Sequence, residues 1–120
     1  MSYDMNNIFA KIIRGEIPSD KIYEDEHVLA FKDIRPQAKV HVLIIPKGPY
    51  VSVQDFTEKA SDAEIVGFNR AIAKVAKAAG LAVTGYRVIA NTGADGRQEV
   101  PHYHIHILGG QNMGRMVSPD

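Results

Sequence analysis

His102 to Leu108 reads HYHIHIL, three histidines at every second position with aromatic or aliphatic residues between them. Alternation at period two marks a half-buried strand. Successive side chains on a strand point to opposite faces, so His102, His104 and His106 share one face. Tyr103, Ile105 and Ile107 share the other. One face is built for packing and the other for chemistry. Imidazole is the side chain that exchanges a proton near neutral pH, and this one strand holds three of the chain's five histidines.

Working outward, the strand ends at Gly109-Gly110 and is preceded by a glycine-bearing loop, TGADGRQ (92–98). Tyr86 to Asn91 reads as the strand before that loop. Val40 to Ile45 (VHVLII) is a β-branched run, hence a well-buried strand, stopped by Pro46 and Gly48. Lys21 to Glu24 and Val28 to Lys32 form a hairpin around the polar turn Asp25-Glu26-His27, which leaves His27 solvated. Asp33 to Lys39 (DIRPQAK) is a loop. Asn6 or Asn7 caps a short helix through Ile8, Phe9, Ile12 and Ile13, with Gly15 as its stop. Ser61 and Glu64 form a capping box that opens the main helix, 62–79, along which Ile65, Phe68, Ile72, Val75 and Ala79 recur at helical steps until Gly80. The links between strands are short, and short links join antiparallel neighbours. The expectation is one α+β domain over residues 1–120, an antiparallel sheet of about five strands with the main helix on one face.

Composition narrows the function classes. The chain has 120 residues, 45% of them hydrophobic, and fourteen basic residues balance fourteen acidic ones. No excess of positive charge advertises nucleic acid or an anionic membrane surface. There are no cysteines, which excludes a disulfide framework and a Cys-rich zinc site. The first residues (MSYDMNNIFAKII) lack the basic segment and long apolar run of a signal peptide. A soluble cytoplasmic protein with no membrane partner is the expectation.

Two chemistries suit three aligned imidazoles. The first is a metal site. His102 and His106 start about 13 Å apart along a strand, while each Zn–N bond must be about 2 Å, so three rings of one strand cannot converge without strain. Two of them together with His41 could. The second is nucleophilic catalysis. A neutral imidazole attacks phosphorus and leaves readily once its ring carries positive charge. The nucleophile belongs in the middle, at His104, with a neighbour touching phosphate oxygens and another group holding its far nitrogen in one tautomer. Backbone N–H groups of the glycine-bearing loop suit phosphate oxygens. His41, on its apolar strand, reads by itself as a hydrogen-bonded core histidine.

The pattern HYHIHIL resembles the motif of the histidine triad (HIT) family. DIRPQAKVHVLIIPK (33–47) resembles the family's strand with an upstream histidine, IFAKIIRGEIPSDKIYEDE (8–26) its N-terminal helix and hairpin, and NTGADGRQEVPHYHIHILGG (91–110) its loop and catalytic strand. The likeness is greatest to the nucleotide-binding Hint branch. It implies a HIT-like fold and a homodimer. It also implies a nucleotide hydrolase or transferase that splits purine nucleoside phosphoramidates through a covalent nucleotidyl-histidine, with no cofactor or metal required. Hydrolysis of dinucleoside polyphosphates and non-catalytic purine nucleotide sensing are the rival readings.

The resemblance also distributes roles. His104 is the nucleophile, His106 touches the phosphate, and His102 and His41 complete the histidine cluster. Asp33 binds the ribose hydroxyls, which a carboxylate can accept from, and Asn91 meets the phosphate region. Ile8, Phe9, Ile12, Ile17, Phe31 and Ile34 surround the base. Gln98, Glu99 and Val100 border the substrate from the loop. Glu99 stands where the Hint branch often has a small hydroxyl residue, Arg97 replaces a small residue, and Pro101 removes one N–H donor just before the triad. These three departures bear on the leaving group. Small residues of the main helix (Gly67, Ala71, Ala78) would permit close approach of a second subunit.

Overall fold

A computed structural model describes residues 2–117. Eight elements follow one another: α1 (Ile8–Ile13), β1 (Lys21–Glu24), β2 (Val28–Lys32), β3 (Val40–Pro46), α2 (Val53–Lys59), α3 (Asp62–Ala78), β4 (Tyr86–Ala90) and β5 (Ile105–Gly109). The strands form one sheet in the order β1-β2-β3-β5-β4, with every neighbouring pair antiparallel. This is the α+β arrangement read from the sequence.

Local signals set most boundaries. The Asn7 side chain accepts from Ala10 N–H and starts α1. Ser61 and Glu64 exchange both bonds of a capping box at the head of α3. Gly80, at φ +77°, lets the chain leave that helix in the left-handed region. The hairpin turn is tied by Asp25, whose carboxylate accepts from the N–H groups of His27 and Val28.

Period two sorts the strands between the two faces. Val28, Ala30, Val42, Ile44, Ile105 and Ile107 pack with Phe56, Phe68, Ala71 and Val75 on the side of α2 and α3. Leu29, Phe31, Leu43 and Ile45 pack with Phe9 and Ile12 of α1 on the opposite side. Both faces of β2 and β3 are therefore covered, which accounts for the unbroken apolar run of β3. His41 and His106 stand on the α1 face, which the odd-numbered residues of β3 share with the even-numbered residues of β5: His41 lies across from Leu108, and Leu43 from His106.

Four expectations are corrected. The histidine strand begins at Ile105, not His102, because Pro101 has no N–H and the next two amides leave the ladder: His102 N–H donates to Val100 C=O and Tyr103 N–H to Tyr50 C=O. A helix absent from the sequence reading, α2, precedes α3; Ser52 caps it, and Phe56 is its one buried residue. The His27 ring packs on Gly67, where an added Cβ would lie 2.4 Å from His27 Cδ2, so it is not simply solvated. That contact and the full burial of Ala71 turn both small residues toward the chain's own core. Among the described residues no helix is long and apolar enough to cross a membrane.

Candidate active site

On the α1 face a pocket of about 680 Å³ opens between α1, the 31–37 segment and the start of β5. Its lining brings together His41, His104, His106, Asp33, Asn91, Glu99, Val100, Ile8, Phe9, Ile12, Ile17, Phe31 and Ile34. These come from five separate stretches of chain. Phe9, Ile12 and Phe31 are buried and form its floor, while Ile8 and Ile34 stand exposed at the rim. Leu43 and Arg97 also line it. Leu43 is legible in retrospect, because it shares the face of His41 two residues away on β3.

Two predicted residues lie elsewhere. Gln98 turns from the pocket. Its amide donates to the carbonyls of Val51 and Val100 and accepts from Gly93 N–H, so it staples the loop to the chain before α2. The ring of His102 lies behind the pocket wall and is 0% exposed. Three amides of the glycine-bearing loop are also taken up inside it. The N–H groups of Gly93, Arg97 and Gln98 are all used within the loop, and Gly96 sits so close to Thr92 that a Cβ would fall 2.4 Å from the Thr92 carbonyl oxygen.

Hydrogen bonds assign the protons on all four histidines, because each chain of contacts ends on a backbone group of fixed character. The His104 Nδ1 lies 2.7 Å from the His102 carbonyl oxygen. A carbonyl only accepts, so Nδ1 carries the proton and Nε2 keeps its lone pair. At His41 the backbone N–H of Gln37 donates to Nδ1 at 3.0 Å. Nε2 of His41 must then hold the proton, which it donates to His106 Nδ1 at 2.9 Å. His106 is left with N–H at Nε2. The His102 ring donates from Nε2 to the Pro46 carbonyl (2.8 Å) and accepts at Nδ1 from the Tyr3 hydroxyl (2.6 Å).

Burial keeps these rings neutral. Desolvation holds His104 below the ordinary imidazole value, opposed by its bond to the His102 carbonyl and by the charges of Asp33 and Glu99. His106 is pushed down to about 4, by burial first and then by His104 and His41. His102 is likewise pushed down to about 4 by burial. Burial also lowers His41, against the pull of Asp33. Phe9 seals the wall, meeting the His104 ring edge to face with centroids 5.0 Å apart.

Asp33 serves the loop and the site together. One carboxylate oxygen accepts from Arg35 N–H at 2.8 Å, and the other lies 3.5 Å from His41 Nε2. Asn91, which lines the pocket, donates from its amide to the Gly96 carbonyl at 2.8 Å. Asp33, His41 and His106 offer ligand atoms within 4.8 Å of one another. The proton assignment does not suit a cation there. A metal at His41 Nε2 would require the proton on Nδ1, where the Gln37 N–H already points.

The pocket thus holds one unprotonated imidazole nitrogen, a second imidazole N–H and a carboxylate within a mostly apolar wall. The HIT domain family model matches residues 14–113, and the chain belongs to that family. A purine nucleoside phosphoramidase of Escherichia coli K12 is 47% identical over 111 residues, 92% of each chain. An uncharacterized 13.2 kDa HIT-like protein of Azospirillum brasilense is 54% identical over 117 residues, 98% of this chain and 96% of its own. Among solved structures, a HIT family hydrolase from Clostridium thermocellum superposes with a TM-score of 0.85 at 46% identity, covering 94% of this chain and 97% of that one.

Proposed function

We propose that the chain is a hydrolase that transfers a purine nucleotidyl group from a phosphoramidate to water by way of His104 Nε2. The observation that carries this reading is the 2.7 Å contact between His104 Nδ1 and the His102 carbonyl, which leaves the other ring nitrogen free to attack. The kinship with the Escherichia coli phosphoramidase supports the substrate class.

The steps follow from the proton assignment. The base lies against Phe9, Ile12 and Phe31, and Asp33 accepts from the ribose hydroxyls. His104 Nε2 attacks the α-phosphorus, a P–N bond to His104 forms, and the P–N bond to the amine breaks, the amine taking a proton from solvent. His106 Nε2–H donates to a non-bridging oxygen as charge builds there. Water then attacks the same phosphorus, loses a proton, and releases the nucleoside monophosphate and the His104 lone pair. None of these steps calls on a cofactor or metal. Glu99, exposed at the pocket edge beside Arg97, favours an amine leaving group over a chain of phosphates by simple charge repulsion.

Steady-state rates on an adenosine phosphoramidate and on diadenosine polyphosphates test the reading. It expects turnover of the first to exceed that of the second, and His104→Ala to abolish it while purine nucleotide still binds. A protein that binds nucleotide with no turnover of either is the sensor of the rival reading.

The same reading includes a homodimer. Val88 of β4 is opposite Ile107 in register and so faces the α3 side of the sheet. α3 packs over β1, β2 and β3, and Tyr86 and Val88 of β4 are exposed, as is Val66 of the helix. Edge strand β4 and this apolar strip form the surface for a second copy. A monomer at micromolar concentration in sedimentation equilibrium contradicts it.

A further inference from the structure

The His102 ring is completely buried, yet it touches no substrate pocket and is absent from the reaction steps. It is held from three sides. Its backbone N–H donates to the Val100 carbonyl at 2.9 Å. Its ring Nε2–H donates to the Pro46 carbonyl. Its Nδ1 accepts from the hydroxyl of Tyr3, 99 positions earlier in the chain, at 2.6 Å. The ring of Tyr3 also meets that of His102 near its edge, with centroids 5.5 Å apart. The one remaining polar group of His102 is its carbonyl, and that carbonyl accepts from the nucleophile.

We infer that Tyr3 is a positioning residue for catalysis: through its hydroxyl the N-terminal segment fixes the tautomer and orientation of His102, and through the His102 carbonyl it sets the ring of His104. The inference rests on the reading of His104 as nucleophile, and adds a residue from outside the pocket to it. The physical reason is accounting. A buried imidazole has two nitrogens to satisfy. Pro46 takes the proton of one, and among the described residues Tyr3 alone supplies a donor to the other. Without that donor the ring has a buried lone pair with no partner, and it gains by flipping, tilting or admitting water. Any of these tilts the peptide whose carbonyl must face His104 Nδ1. Phe9 couples the two rings further, since it packs edge to face on both, at 6.2 Å from His102 and 5.0 Å from His104.

The test is Tyr3→Phe, which keeps the ring and removes the hydroxyl, read by kinetics on an adenosine phosphoramidate and by ¹⁵N NMR of the imidazoles. The expected result is a fall in kcat of roughly tenfold, as for other groups that orient a reacting side chain. KM stays within about twofold, because nothing in the base or ribose pocket has moved. The ¹⁵N signals of His104 shift from one Nδ1–H tautomer toward a mixture, and those of His102 Nδ1 lose the shift of a hydrogen-bonded acceptor. Unchanged kcat with unchanged His102 and His104 signals overturns the inference. Should Tyr3→Phe lose amide dispersion, fluorotyrosine at position 3 decides, since it alters donor strength at nearly constant shape. A kcat that follows phenol acidity supports the relay, and one indifferent to it overturns it. The NMR arm needs no turnover. Wild-type protein without phosphoramidase activity would sink the proposed function, while the tautomer readout would still judge the role of Tyr3.

Discussion

His41 Nε2 lies 2.9 Å from His106 Nδ1, and the direction of the proton between them is set from outside the pair. The Gln37 amide occupies His41 Nδ1, so the shared proton belongs to His41 and His106 must present N–H to the pocket. A buried residue on an apolar strand thus dictates which ring nitrogen of His106 carries a proton.

Replacing His41 by glutamine, whose amide can donate toward His106 Nδ1, is expected to retain most of the activity. His41→Leu removes the donor and leaves a buried acceptor on His106, a loss of about 1–3 kcal/mol. The corresponding fall in kcat is roughly tenfold or more. Steady-state kinetics of the two variants, with thermal melts to control for folding, checks this. Equal loss in both variants would mean that His41 acts by packing alone.

Acid should weaken the fold before it reaches ordinary carboxylate territory. His102 and His106 are lowered to about 4 in the folded protein, against about 6.5 for an imidazole in an unfolded chain. Between these values the unfolded chain binds more protons, so stability is full above about 6.5 and falls as the pH drops toward 4. His102 alone accounts for roughly 3 kcal/mol lost by pH 4. Activity should persist below the usual imidazole range, since burial also lowers His104. Urea midpoints and kcat across pH 4 to 8 measure both limbs. A stability that rises on acidification from pH 6.5 contradicts the buried, neutral histidine cluster.

Ile34 separates binding from folding. Its side chain is 88% exposed although it lines the pocket mouth. Ile34→Ala is expected to change stability by no more than about 0.5 kcal/mol. Its nucleotide affinity should still fall several-fold, because the base then loses its outer wall. Phe9→Ala, buried between Phe31 and His104, should cost about 3–5 kcal/mol of stability as well. Calorimetric titration with AMP beside thermal melts distinguishes the two. Wild-type affinity in Ile34→Ala would move the base away from that wall.

Gly67 carries a prediction about the fold itself. A methyl group there would lie 2.4 Å from His27 Cδ2 and 3.2 Å from its Cβ, so relieving the clash means moving the side chain from its root or prying the helix off the hairpin. Gly67→Ala should therefore destabilise by about 1–3 kcal/mol, despite the better helix propensity of alanine. Replacing His27 by alanine in the same protein should restore the loss. A stabilised Gly67→Ala would show that the helix stands farther from the hairpin.

How far the sequence could be read depended on where the information lay. The hairpin at Asp25, the capping box at Ser61 and the stops at Gly80 and Gly110 are local signals, and the elements they bound appear where expected. Helix α2 is seven residues with one buried side chain, too short and too polar to show a period. The late start of the histidine strand depends on where two amides, those of His102 and Tyr103, find partners, which alternation does not encode. Asp33, expected as a site carboxylate, also ties its own loop: one oxygen accepts from Arg35 N–H and the other lies 3.5 Å from His41 Nε2. Gln98 looked like a substrate contact because it sits in the pocket loop, but its amide holds that loop in place. Tyr3 meets His102 across 99 positions, and no pattern in a single sequence announces such a contact.

The central claim concerns a single nitrogen. Rapid quench during turnover of an adenosine phosphoramidate, followed by proteolysis and mass mapping, tests it most directly. The account predicts an acid-labile adenylyl group on the peptide containing His102 to Leu108, localised to His104 and absent in His104→Ala. Turnover without any covalent adduct, or an adduct on His106 or His41, would contradict it.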